Sequence, residues 1–383
     1  MNRYDPDDFT IGIEEEYLLV EPGTGNLADD PPNEILELCE TTIDPSVGVV
    51  TPEFLRSQVE VGTAVCRSIK EVRAKVAQLR LAVARAATSH GLAPVAASTH
   101  PSAVWTAQHH TDKERYNVLA EDMQAVARRL VICGMHVHVG IDDDDLRLDL
   151  LNQIAYFLPH LLALSTSSPF WQGEKTGLMC YRLSVFDELP RTGLPEQFES
   201  YGEYIRHIDV LVNAGLLKDA SMIWWDVRPH TKFPTMEMRI ADICTYMDDG
   251  ITVAALYACT LSMLIRLRRN NQRWRTYANL LINENRWRAQ RYGFDQGLVD
   301  FGRGEIVSYP DLLEELLELI RPDAEMFDCV EEVERARDIL RRGTSAHRQI
   351  AIYEEALKDG AERPEALKAV VEWLVAETVR DLS

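Results

Sequence analysis

The chain is poor in the features that mark secreted, membrane-spanning and nucleic-acid-binding proteins. Its 7 cysteines (Cys39, Cys66, Cys133, Cys180, Cys244, Cys259 and Cys329) are scattered, odd in number and never at CxxC spacing. That argues against a disulfide framework and against a thiolate zinc site. No apolar run reaches the roughly 18 residues of a bilayer span, so no membrane partner is expected. The opening MNRYDPDDFTIG lacks the basic and apolar regions of a secretory signal, and a cytosolic location is expected. Base is scarce: Lys and Arg number 40 against 61 Asp and Glu, for a formal net charge of −21. A broad basic surface for nucleic acid is therefore excluded. An anionic small molecule held by a few arginines and a metal is not. There is also no GxxxxGK[ST] loop, no GxGxxG after a strand and no GxSxG elbow.

What the chain does have is a set of strands carrying charge on alternate residues. GIEEEYLLV (12–20), CGMHVHVGI (133–141) and TMEMRI (235–240) each alternate with period two. Glu14 and Glu16 therefore share a face, as do His136 with His138 and Glu237 with Arg239. So many carboxylates on a half-buried sheet are costly without a cation among them. Oxygen-rich sites suit Mg²⁺ or Mn²⁺.

Strands are expected at 9–20, within 47–62, at 92–99, 133–141 and 222–229, and over the TMEMRIAD run. Helices are expected at 33–41, 67–90, 113–130, 146–164 with a kink at Pro159, 200–213, 248–271, 274–288, 311–320, 323–341, 345–358 and 364–381. Residues 165–200 read mainly as loop. Strands and helices mix without a βαβ rhythm, which predicts an α+β fold with a largely antiparallel sheet and helices packed on it. Length and the 46% hydrophobic content allow one large enzyme domain. We place the catalytic domain at 1–305, with a helical C-terminal part, 306–383, packed on it.

Each motif has a plainer reading. An EEE run is often a solvated face. Glu53 and Glu60 in TPEFLRSQVEVGT are surface charges by default, although Glu60 lies between two valines in an alternating segment. HxH is a zinc-ligand spacing, yet two strand histidines are as readily hydrogen-bonded in a polar cleft. Asp226 with Arg228, and Glu237 with Arg239, are either ion pairs or forks for a carboxylate or phosphate. His100 follows an apolar strand and reaches either a cleft edge or only a loop. Arg182 and Arg291 are solvent-facing by default.

Taken in order, GIEEEYLLV, SQVEVGTAVC, STHP, the RY of ERYNVL, CGMHVHVGI, WWDVRP, TMEMRIAD and ENRWRAQRYGFDQGLVD resemble the carboxylate–amine ligase family, the second type of glutamate–cysteine ligase. The match spans most of residues 10–300. The resemblance implies a glutamine-synthetase-like catalytic fold, with an antiparallel sheet curved into a funnel and ATP and Mg²⁺ (or Mn²⁺) at its mouth. It implies that ATP phosphorylates a carboxylate, usually the γ-carboxylate of glutamate, and that an amine or amino acid then displaces phosphate. By motif, Glu14, Glu16, Glu60 and Glu237 are expected to bind metal, and Arg239 and Glu53 to act catalytically. Nucleotide contacts are expected from Arg239, His136 and Arg291, and substrate contacts from His100, Arg182 and His138. A homo-oligomer is compatible with the amphipathic C-terminal helices. Two rivals remain: a zinc-dependent amide hydrolase built on His136 and His138, and a catalytically silent relative that only binds a metabolite.

Overall fold

The computed structural model describes residues 9–380 and 382. The expectation about a secretory signal falls partly on residues 1–8, outside the described residues. A seven-stranded sheet organises the fold. Strand β1 (Ile11–Val20) runs through its middle, antiparallel to β3 (Gln58–Thr63), β4 (Ala93–Val95) and β5 (Met135–Gly140). On one side β2 (Gly48–Pro52) extends the sheet beyond β3. On the other, β7 (Thr235–Met238) pairs with β5, and β6 (Val227–Pro229) pairs with β7. Every one of these pairings is antiparallel.

The alternation in β1 explains its central place. Ile11, Ile13 and Tyr17 are no more than 2% exposed on one face, and Glu14 and Glu16 leave from the other. Under the apolar face lies the helix Ile69–Thr88, capped by Ser68, whose side chain accepts from the Glu71 amide. It buries Val72, Val76, Leu79 and Val83 against β1, β3 and β4. Beside it lies the helix Met247–Arg269, which also contacts β5. This helix corrects one expectation, because it is long and apolar enough to cross a bilayer. Its residues 249–265 are buried inside the protein, and a helix apolar all round belongs to a core as readily as to a membrane.

Other departures are local. The stretch 146–164 divides into Asp144–Ile154 and Leu158–Ser165 around a tight turn, with Pro159 in the first turn of the second helix, where its missing N–H costs nothing. The expected strand 222–229 breaks at Asp226. Trp224–Trp225 pairs with Thr192–Gly193, and only Val227–Pro229 joins the main sheet. The helix expected at 274–288 is Asn279–Tyr292, because Trp274 and Tyr277 instead pack on Tyr156. The helix Tyr309–Met326 runs through Pro322 and ends before Asp328, whose φ is 50°. The C-terminal helices share the same hydrophobic core: Tyr309–Met326 packs on Met247–Arg269, and Arg363–Thr378 packs on β4.

Candidate active site

The sheet register brings the alternating charges together. Across β1 and β3, Glu16 faces Glu60; across β1 and β5, Glu14 faces His136; across β5 and β7, His138 faces Glu237; across β6 and β7, Arg228 faces Glu237. The sheet thus places acidic, imidazole and guanidinium groups on one face. Glu53, just after β2, joins electrostatically, since its charge acts on both Glu16 and Glu60.

Two sets of ligand atoms lie within 4.8 Å of one another: Glu14, His136 and Glu237, and Glu16, Glu60 and His136. His136 belongs to both. Its Nδ1 is 3.1 Å from Glu14 Oε2, while its buried Nε2 has no hydrogen-bond partner and lies 3.7 Å from Glu16 Oε1. An orphaned imidazole nitrogen among carboxylates that outnumber their cations is what a divalent ion would satisfy. Carboxylate oxygens with one imidazole suit Mn²⁺ or Mg²⁺. His136 and His138 fall together in neither set; each lies against Glu14, at 3.1 and 3.5 Å, on opposite oxygens of that carboxylate.

The carboxylates are not equivalent. Burial drives Glu16 up to about 8, reinforced by the charge of Glu53 and opposed by Arg182, the Gly134 amide and Arg239. Burial also raises Glu60 well above the carboxylate range, with Glu53, Glu14 and Glu16 adding to it. At Glu14 burial is outweighed by His136 and His138, and the carboxyl is held low. Burial opposes ionisation of Glu237 too, but Arg239 and Arg228 overcome it and hold the acid well below its usual value. Arg228 donates to both Glu237 oxygens at 2.7 and 3.2 Å, and Arg239 Nη1 donates to Oε1 at 2.5 Å. A carboxylate has about four lone-pair sites, so Glu237 keeps capacity for a cation shared with Glu14 and His136. The Arg239 Nε is buried without a partner.

The cluster is held from behind. Glu15, pointing into the core, takes Arg80 bidentately at 2.8 and 2.6 Å and the Tyr17 hydroxyl at 2.5 Å. Arg80 also donates to the carbonyls of Cys244 and Thr245. Sequence reasoning passed over this pair, although a signal existed: residue 80 lies four after Val76 and three before Val83, on the buried stripe of its helix. Gly134 is a second support. Its amide donates to Glu16 Oε2 at 2.6 Å, and the guanidinium of Arg182 lies against it, so that a Cβ there would sit 2.3 Å from Arg182 Nη2. Arg182 Nη1 donates to the carbonyls of Arg239, Ile240 and Ala241. Arg182 is therefore a brace between the strand of Arg239 and the backbone that holds Glu16.

Two expected residues are not brought to the cluster. His100 is buried, with Nε2 donating to the Gly25 carbonyl and Nδ1 accepting from the Ser102 and Ala103 amides. No ring nitrogen is left for a substrate. Arg291 donates to the Gly177 carbonyl and stacks over Tyr292, contacts that both lie outside the cluster. His138 does reach it, with Nε2 3.5 Å from Glu14 Oε1. The RY pair contributes Tyr116, whose hydroxyl lies 3.1 Å from the Pro52 carbonyl and 3.5 Å from Glu53 Oε2, and Arg115, whose charge acts on Glu53.

The model of glutamate–cysteine ligase family 2 matches residues 10–372. A Rhodospirillum rubrum protein provisionally named glutamate–cysteine ligase 2 is 62% identical over 98% of this chain and 96% of its own length. A similarly named protein of a Jannaschia species is 51% identical over 99% of both. Among solved structures, a Francisella tularensis glutamate–cysteine ligase in complex with AMP matches with TM-score 0.67 at 16% identity, covering 98% of this chain and 90% of that one. A bifunctional glutathione synthetase of Pasteurella multocida matches at 0.68 and 13%, covering 98% of this chain and 53% of that one. At these identities the likeness is one of fold, and the fold is that of the glutamine-synthetase-like ligases. The chain belongs to glutamate–cysteine ligase family 2.

Proposed function

We propose that the protein joins the γ-carboxylate of glutamate to an amine or amino acid through an acyl phosphate formed from ATP. Family membership makes it an ATP-dependent ligase that forms carbon–nitrogen bonds; the acid, the amine and the route are our reading. The observation that carries it is the convergence of Glu14, Glu16, Glu60, His136 and Glu237 with Arg239 on one sheet face. On this reading the four glutamates and His136 hold Mg²⁺ or Mn²⁺, and His138 lies beside the substrates. A metal held there would supply positive charge against the nucleotide phosphates.

The protein's own groups have distinct tasks in this scheme. Arg239, tethered by Glu237 through Nη1, presents its remaining N–H groups to the equatorial oxygens of the transferred phosphoryl. The acid's carboxylate oxygen attacks the γ-phosphorus, and ADP leaves. The amine then attacks the acyl carbon, phosphate departs, and the ammonium proton passes to Glu53, whose pKa is raised by burial as a general base requires. Residues 1–305 form the catalytic body on this reading, with 306–383 packed on it, and the enzyme works in the cytosol.

The test is ADP release from Mg-ATP with glutamate across a panel of amines and amino acids. We expect release that depends on both acid and amine, with ¹⁸O moving from the glutamate carboxylate into phosphate. ADP formed equally fast without an acid, or phosphate free of label, overturns the scheme.

A further inference from the structure

We propose that the β6–β7 hairpin tip, through the ring of Phe233, is the platform on which the purine base of the nucleotide stacks. The inference rests on the ATP reading above and gives the base a place in it. The hairpin runs Pro229, His230, Thr231, Lys232, Phe233, Pro234. At its tip the rings of His230 and Phe233 lie parallel, 5.0 Å apart at 9°. His230 meets His138 edge-on at 5.2 Å and 80°. Three rings thus climb from the carboxylate cluster to the surface.

The platform is preorganised. His230 Nδ1 accepts from the amides of Lys232 and Phe233, which locks the imidazole beneath the Phe233 ring. The His230 amide donates to the Thr235 carbonyl, and Thr235 Oγ1 meets His138 Nδ1 at 3.1 Å. Two prolines flank the tip and limit its freedom. Despite this ordering Phe233 is 59% exposed. A large aromatic ring held rigid by its own backbone and left facing water has area available for a flat partner.

Distance and chemistry select that partner. Phe233 precedes Glu237 by four residues, about 13 Å along extended chain, which is within the reach of an extended nucleoside triphosphate whose phosphates lie at the cluster. Between the two ends, the Nε2 of His138, 3.5 Å from Glu14 Oε1, faces the route that a phosphate or ribose oxygen would take. Lys232, exposed on the same tip, adds a positive charge for the polyphosphate. Stacking tolerates any base but requires one, so the platform separates a nucleotide from a bare polyphosphate.

The experiment is equilibrium binding of Mg-ATP and of magnesium tripolyphosphate to the full chain and to Phe233→Ala and Phe233→Trp. We expect the wild type to bind ATP more tightly than tripolyphosphate. Phe233→Ala should weaken ATP by roughly tenfold or more and leave tripolyphosphate unchanged, while Phe233→Trp retains ATP. If Phe233→Ala binds ATP within twofold of wild type, or weakens both ligands equally, the platform is refuted while the ligase reading survives. If the wild type binds tripolyphosphate but not ATP, or neither, both fall together.

Discussion

Replacing Glu60 by Gln should stabilise the metal-free protein and weaken metal binding, two effects of opposite sign from one atom change. Glu60 faces Glu16 across the β1–β3 ladder, and their oxygens lie within 4.8 Å of each other and of His136. Two full charges at that spacing repel by roughly 3 kcal/mol at an effective dielectric of about 20. Gln keeps the acceptor that Thr51 Oγ1 bonds at 3.1 Å, so the shape of the site is preserved. The sign with pH follows from linkage. A carboxyl raised in the folded state favours folding below its unfolded pKa, and that contribution is lost as pH rises through the folded value. Glu16 is raised from 4.5 to about 8 and Glu60 is raised well above its usual value, so without divalent ions wild-type stability should fall as pH climbs from about 4.5 toward 8. At pH 8.5 in chelator, Glu60→Gln should be the more stable by about 1–3 kcal/mol. With Mn²⁺ added the gap should close by about 1.4 kcal/mol for every tenfold by which the variant's metal affinity falls, and reverse where that loss exceeds roughly a hundredfold, because stabilisation by a ligand grows with the logarithm of its affinity. Thermal melts with and without chelator, with calorimetric Mn²⁺ titrations, decide the matter. A variant less stable than wild type in chelator, with unaltered Mn²⁺ affinity, would show that these carboxylates serve structure and do not hold a cation.

Arg239→Ala should keep the fold and lower kcat for ADP release by about 10³-fold; turnover within a few-fold of wild type would end its phosphoryl role. Gly134→Ala should displace the Arg182 guanidinium from the 239–241 carbonyls, costing about 1–3 kcal/mol of stability and more than tenfold in kcat. Unchanged activity would show that the brace is dispensable. His100 and His160, each brought down to about 4 by burial, must charge on unfolding in acid. Their contribution is complete above pH 6.5 and lost as pH falls toward 4, by up to about 3 kcal/mol each. His100→Gln, which retains an acceptor and a donor, should flatten that decline in urea unfolding measured from pH 7 to 4.

Alternation was readable from the chain alone because side chains on a strand must leave on opposite faces. GIEEEYLLV, MHVHVG and TMEM therefore declared which residues share a face, and the helix Ile69–Thr88 declared its buried stripe. Which strands are neighbours is another matter. The pairings Glu16 with Glu60 and His138 with Glu237 join residues far apart in sequence, and registers of that kind are set by the packing of the whole sheet. Hence His136 looked like one half of an HxH pair, whereas the sheet gives it two sets of carboxylates. The same limit explains His100, Arg182 and Arg291. A histidine or arginine carries the same chemistry whether it meets a ligand or a backbone carbonyl, and only the folded neighbourhood of Gly25, the 239–241 carbonyls and Gly177 distinguishes the two. Local periodicity comes from bonds between adjacent residues and is written into the chain. Convergence comes from burying one common core, and it exists only once the sheet has closed over its helices.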